Sequence, residues 1–259
     1  MIKFFRKIRQ NLLSAGKTGK YLKYAIGEII LVVVGILIAL QINNWNEINK
    51  LRKIEIKTLK ELKSDLNQNI IEIKSHIGAL ENCKKSNEII ISHMENNLSY
   101  HDSLDYHFSN LYPFIVFLPV QTTFDNLSQN GIELISNDSL RSQITMLYGN
   151  EFSAFRAFEK TYFVEHYDNY IKPIYIKEFE TFEVFQSLKP RDYNQLMANS
   201  EYMQILNYTV NSCQNFIIIQ NRLIESVNRL IINIDNEISD QNVLKTKAQQ
   251  RTELKNKSF

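Results

Sequence analysis

Residues 24–42 read YAIGEIILVVVGILIALQI. As a helix these nineteen residues span about 28 Å at a rise of about 1.5 Å each, close to the hydrocarbon thickness of a bilayer. Glu28 is the only ionisable group within it, and Ile29–Leu40 offers no polar face to water. A buried helix of a soluble protein usually keeps one polar edge, so the stretch reads as a transmembrane helix.

The flanks orient that helix. Lys3, Arg6, Lys7, Arg9, Lys17, Lys20 and Lys23 precede it with no acid among residues 1–23, whereas Glu47, Lys50, Arg52, Lys53 and Glu55 follow it. Positive charge stays on the cytoplasmic side. This places residues 1–23 in the cytoplasm as a basic arm, 24–42 in the inner membrane, and 43–259 in the periplasm as a helical domain. A cleaved signal peptide would carry a shorter apolar region ending in small residues. Here the span closes Ile38-Ala39-Leu40-Gln41-Ile42, which favours an uncleaved signal anchor. Tyr21, Tyr24 and Trp45 bracket it as interfacial aromatics do.

The opening MIKFFRKIRQNLL puts Ile2, Phe4, Phe5, Ile8 and Leu12 near one helical face, with Lys3, Arg6, Lys7 and Arg9 on the other. Such a helix suits the anionic inner leaflet. A basic arm can also bind nucleic acid, but the adjoining span decides for lipid, so no nucleic-acid partner is expected. Within the span, Gly27, Gly35 and Ala39 recur at helical spacing beside Glu28. Small residues at this spacing let helices approach closely, and a carboxyl inside a membrane costs roughly 3 kcal/mol unless it is bonded or near the edge. Gly27, Glu28, Gly35 and Ala39 therefore form a candidate packing seam for a second copy or a partner membrane protein. The plainer reading is a glutamate at the headgroup edge.

The formal charge of +2 over 259 residues conceals a division. Residues 1–23 carry +7, whereas residues 43–244 hold 18 basic against 26 acidic residues, a net −8. Seven glycines and four prolines are about 4% of the chain, against a usual share near 12%. That argues against turn-rich sandwiches and barrels. Two cysteines are too few for a disulfide scaffold.

Beyond the span, Leu59, Leu62, Leu66, Ile70, Ile73, Ile77 and Leu80 follow one another at steps of three and four, a helical stripe. No proline occurs before Pro113, so one long helix is expected from the span to about Asn97. A second stripe, with Tyr202, Leu206, Cys213, Phe216, Leu223, Val227, Leu230, Ile234 and Ile238, predicts a helix from about Ser200 to Ala248. The two are natural antiparallel partners. The fold expected is all-α, a single N-terminal transmembrane helix followed by a helical bundle with a long two-helix, coiled-coil-like stem. Between the long helices, Pro113 and Pro119 bracket FIVFL as a loop or short buried segment. A helix over Thr122–Asn130 should stop at Gly131, and Asn137 or Asp138 should cap another running to Gly149. Glu151–Tyr170 carries Phe152, Phe155, Phe158, Tyr162, Phe163 and Tyr167, expected in the core. Lys172-Pro173 should kink or end that helix, and Pro190 should open the next.

Chemistry is sparse. Cys83 and Cys213 sit one on each long helix, and antiparallel pairing brings them level. The periplasm permits a bridge, and two buried free thiols are the alternative. Of the five histidines, none lies in H-E-x-x-H or zinc spacing. His101-Asp102 and Asp105-Tyr106-His107 make a small polar cluster whose plain reading is a solvated loop. No phosphate loop, nucleophile elbow or paired-carboxylate pattern occurs, so neither cofactor nor catalytic residue is expected.

YAIGEIILVVVGILIALQINNWNE resembles the signature of a family of small single-pass membrane proteins of unknown function, common in Bacteroidota. TTFDNLSQNGIELISNDSLRSQITMLY is similar to a second block of that family, occupied by Phe124, Leu127, Ser128, Gly131, Leu134, Ile135, Leu140 and Arg141. Asn130 departs from it, standing where a serine is frequent. The resemblance runs the length of the chain, LMANSEYMQIL included, with only the N-terminal block highly specific, and implies an inner-membrane protein of a Gram-negative cell with a periplasmic domain, and no activity. The expected function is a membrane-anchored, non-enzymatic interaction or scaffold module. The alternative is a ligand-sensing periplasmic module signalling through a partner membrane protein.

Overall fold

The computed structural model describes residues 18–180 and 187–256. The arm residues Lys3, Arg6, Lys7 and Arg9 lie outside them. The chain divides into two units, residues 1–55 and 56–259. Among the described residues the chain is helical, with no strand and one isolated antiparallel bridge, Phe179 to Pro190.

Helix α1 spans Thr18–Glu95. In the first unit it contains a segment long and apolar enough to cross a membrane, with a window of mean hydropathy 2.6 and none of it buried. Ile29, Leu31, Leu37 and Leu40 are each more than half exposed. Burying such side chains is worth about 1.5–3 kcal/mol each, yet nothing among the described residues covers them.

The second unit is built on the rest of α1 and on the last helix, Ser200–Asn256. On α1 the buried face reads Leu59, Leu62, Leu66, Asn69, Ile73, Leu80, Cys83, Asn87, Ile90 and Met94. On the last helix it reads Tyr202, Leu206, Thr209, Cys213, Phe216, Gln220, Leu223, Val227, Leu230 and Ile234, with steps alternating between four and three. Two steps of three and four make seven residues in two turns, which keeps one face inward along the helix. Polar residues stand at register positions in both faces. Cross-helix contacts run in opposite numerical order: Lys63 Nζ meets Asp235 at 2.7 Å, whereas Lys84 Nζ meets Gln214 at 2.8 Å.

Between these helices come α2 (Leu104–Ser109), α3 (Thr122–Asn130) and α4 (Asp138–Met146). Helix α3 stops at Gly131, whose φ of +113° would strain any residue with a Cβ. Asn137 caps α4, its side chain accepting from Leu140 N at 3.1 Å.

Two of the breaks expected from the sequence do not occur. The helix begun at Asp138 continues through Gly149 and Pro173 to Glu178. It passes through α5 (Phe152–Glu159) and α6 (Lys172–Glu178), and three wide π turns interrupt it at Leu147–Glu151, Lys160–Val164 and Tyr167–Ile171. In each turn an N–H reaches back five residues: Phe152 to Leu147, Glu165 to Lys160, Lys172 to Tyr167. The last of these widens the helix just before Pro173, which has no N–H to place and sits in the first turn of α6, where proline is tolerated. Each π turn adds one residue, turning the following face by about 100°.

The expectation that the whole aromatic stripe is core is also corrected. Phe152, Phe155 and Phe163 are buried, but Phe158 and Tyr162 are more than a third exposed. Pro190 does not open a helix either. It lies in the extended bridge to Phe179, where its missing N–H costs nothing, and α7 (Tyr193–Met197) begins three residues later under an Asp192 cap. The final helix, Ser200–Asn256, is α8.

Candidate functional site

Two constructions in the second unit carry polar or aromatic groups beyond what packing requires. The first is the strap Leu111–Gln121, which runs into the first turn of α3. Being extended, it has backbone groups that no helix satisfies, and buried or half-buried groups of that kind need partners. Polar residues of α1 supply them in reverse order along the helix. Asn87 Nδ2 donates to Leu111 O at 3.3 Å. Glu72 Oε1 accepts from Leu118 N at 3.0 Å. Asn69 bonds both backbone groups of Val120, and Asp65 accepts from Thr123 N at 3.1 Å. Pro113 and Pro119 lack an N–H and so need no donor partner. From the opposite side Glu159 on α5 accepts from Phe117 N at 2.9 Å.

Glu159 is 3% exposed. Burial pushes its carboxyl above the usual carboxylate range, and the charge of Glu72 adds to the push. The Phe117 N–H and Arg156 act the other way. Its second oxygen has no hydrogen-bond partner among the described residues. His166, on the same long helix, is held neutral by burial, with its pKa pushed down to about 4, and its Nε2 lies 3.2 Å from Thr209 Oγ1.

The second construction is an open groove of about 450 Å³ between the π-interrupted helix and α8. Phe158 and Tyr162 form one wall, their rings 4.1 Å apart. Phe216 is its floor, stacked on Phe158 at 5.3 Å. Tyr208 and Ile218 complete the apolar rim, both more than 40% exposed. Asn211, Ser212, Asn215 and Arg222 are the polar lining from α8. Arg222 has no hydrogen-bond or ion-pair partner among the described residues. A groove of this size with an aromatic wall, two amides and an uncommitted guanidinium can take an apolar side chain and an anionic group together.

The residues singled out from the sequence fall elsewhere. A Cβ on Gly27 or Gly35 would meet nothing within 4 Å, so their helix face is open, and Ala39 on the same helix is exposed. Glu28 is half-buried. Cys83 and Cys213 are both buried and free. The His101–His107 cluster is bonded to its own neighbourhood: His101 Nδ1 to Ser103, His107 Nδ1 to Ser86, and Asp105 to Tyr100. No group of three His, Cys, Asp or Glu side chains is placed to hold a metal ion among the described residues.

Sequence reasoning missed Asn69, Asn87, Thr209 and Gln220. Their signal was present as polar residues in register with the apolar stripes. It also misses the groove, because spacing alone puts Phe158 and Tyr162 in the core. Tyr162 lies inside the second π turn, whereas Phe158 shares the regular helix α5 with Phe155 and differs from it only in the face it occupies.

A family model described as a family of unknown function, DUF6090, matches residues 28–205. The match takes in the apolar segment from Glu28 onward, the strap and the π-interrupted helix, and ends just inside α8, before the residues that α8 gives to the groove. No curated protein and no solved structure matches the chain.

Proposed function

The chain belongs to the DUF6090 family of unknown function, and on that premise we propose that it is a membrane-anchored, non-enzymatic interaction module. Its apolar segment anchors it in the inner membrane of a Gram-negative envelope, of the kind found in Bacteroidota. Its N-terminus is cytoplasmic and the second unit is periplasmic. The uncovered apolar side chains of α1 and the seven basic residues before them support this placement. The opposed contacts of Lys63 with Asp235 and Lys84 with Gln214 support an antiparallel stem within a helical bundle. The open faces of Gly27 and Gly35 support helix association in the membrane, with a second copy or a partner.

The groove carries the functional reading. Phe158, Tyr162, Tyr208 and Ile218 hold apolar surface in water that the protein's own packing does not use. Exposed aromatic clusters with one arginine mark binding surfaces. The partner is a protein segment that inserts an apolar side chain and presents a carboxylate to Arg222. A photoreactive phenylalanine analogue at Ile218, in native membranes, tests this. A discrete crosslinked product that disappears in Phe158→Ser/Tyr162→Ser is expected. Absence of any adduct, or an adduct indifferent to those substitutions, overturns the reading.

A further inference from the structure

The two cysteines of the chain lie 130 residues apart in sequence and meet in the interior of the second unit. Cys213 Sγ is 3.6 Å from Cys83 Sγ, and both residues are at most 2% exposed. One belongs to α1 and the other to α8. The adjacent contact between Lys84 and Gln214 fixes the register at this level. Asn87 confines the Cys83 thiol: its Nδ2 lies 3.5 Å from Sγ and is itself anchored on the carbonyls of Cys83 and Leu111. A disulfide needs the sulfurs at about 2.05 Å. Each sulfur therefore has less than 1 Å to travel, within reach of small side-chain rotations.

We propose that Cys83 and Cys213 are a covalent modification site, closing into an intramolecular disulfide that staples α1 to α8. The oxidant is a protein or small-molecule disulfide. One cysteine thiolate attacks a donor sulfur, forming a mixed disulfide and releasing one donor thiol. The second cysteine thiolate then attacks the mixed disulfide and releases the other. The pair loses two protons and two electrons, and the donor disulfide is reduced to two thiols. Attack requires thiolate, and burial pushes the Cys83 thiol well up in the closed body. Exchange therefore takes place while the helix pair is forming or transiently parted. Once closed, the bond spans a long stretch of chain, which restricts the unfolded ensemble strongly.

The test uses the full chain in detergent, incubated with oxidised glutathione, then denatured and alkylated without reductant. The expected product is lighter by two hydrogens and takes no alkyl group. After reduction it takes two, and digestion of the unreduced chain yields the Cys83 and Cys213 peptides joined. A higher thermal midpoint than that of the Cys83→Ser/Cys213→Ser chain is expected as well. Two alkylated cysteines after oxidation, separate glutathione adducts, or bridges between chains would each overturn the proposal. Because the oxidant is supplied, the outcome is independent of the compartment read for the second unit.

Discussion

Asn69 and Val120 exchange two hydrogen bonds: Asn69 Nδ2 donates to Val120 O at 3.1 Å, and Val120 N donates to Asn69 Oδ1 at 2.7 Å. A side-chain amide thus does what a neighbouring strand would do for this extended segment. It explains why a fully buried asparagine stands in an apolar stripe of α1. Glu72 and Asn87 each serve one backbone group at other points of the strap, and Asp65 serves Thr123 N just beyond it.

Replacing Asn69 with alanine removes both partners of Val120 at once. A backbone group left without its hydrogen bond costs about 1–3 kcal/mol, so Asn69→Ala is expected to lower stability by about 2–4 kcal/mol. Urea unfolding of the detergent-solubilised chain measures it. Asn69→Asp keeps the acceptor for Val120 N but loses the donor for Val120 O, and is expected to fall between the two. An alanine variant within about 0.5 kcal/mol of the parent, the range of an ordinary surface change, would show that the strap is held elsewhere.

Glu159 gives the strap a pH dependence. Its folded pKa is raised, so protonation favours the folded state. The stability it contributes is full below the carboxyl range of the unfolded chain and is lost as pH rises through the higher folded value. Glu159→Gln keeps an oxygen for Phe117 N and cannot ionise. It is expected to be more stable than the parent at neutral pH, with the difference shrinking as pH falls. Denaturant midpoints at several pH values measure this, and a constant gap between the two chains would contradict it.

His166 acts in the opposite sense. Its folded pKa of about 4 lies below the unfolded value near 6.5. The stability it contributes is present above about pH 6.5 and is lost as pH falls towards 4, a total of at most about 3 kcal/mol. His76 and His107 are also lowered by burial and share that sign. His166→Phe is expected to flatten the acid limb of the stability profile. Thr209 tolerates the change, because its hydroxyl also donates to Ile205 O at 2.9 Å. An unchanged acid limb would assign it to the other histidines.

The long helices were legible in the sequence because their stripes repeat over many turns and no proline interrupts them. The caps at Gly131 and Asn137 were legible because positive φ and an orphan N–H select specific residue types. The π-interrupted helix was not. Gly149 and Pro173 signal breaks locally, whereas the packing of Phe152, Phe163 and Tyr175 keeps the helix whole and takes up the misfit as extra residues in three turns. Those insertions also turn the faces that follow them, so Tyr162 could not be placed from spacing. The strap was half legible. Its prolines mark an irregular segment, but the α1 residues serving it lie between 24 and 58 positions earlier, on another element.

Gln220, like the hydroxyl of Tyr202, marks a place in the α8 stripe where no such service is visible among the described residues. It is fully buried, and neither its amide nitrogen nor its amide oxygen has a hydrogen-bond partner among the described residues. A buried polar group in that condition costs about 1–3 kcal/mol. Leucine at the same register position fills similar volume and carries no polar atom, as its stripe neighbour Leu223 already does. Gln220→Leu is therefore expected to raise stability by about 1–2 kcal/mol, against the usual direction of core substitutions. A shift of the urea midpoint upward at unchanged slope would establish it. A fall instead would mean that the amide is bonded in solution to a group it reaches only there, such as an ordered water, and that the stripe needs its polarity at this level.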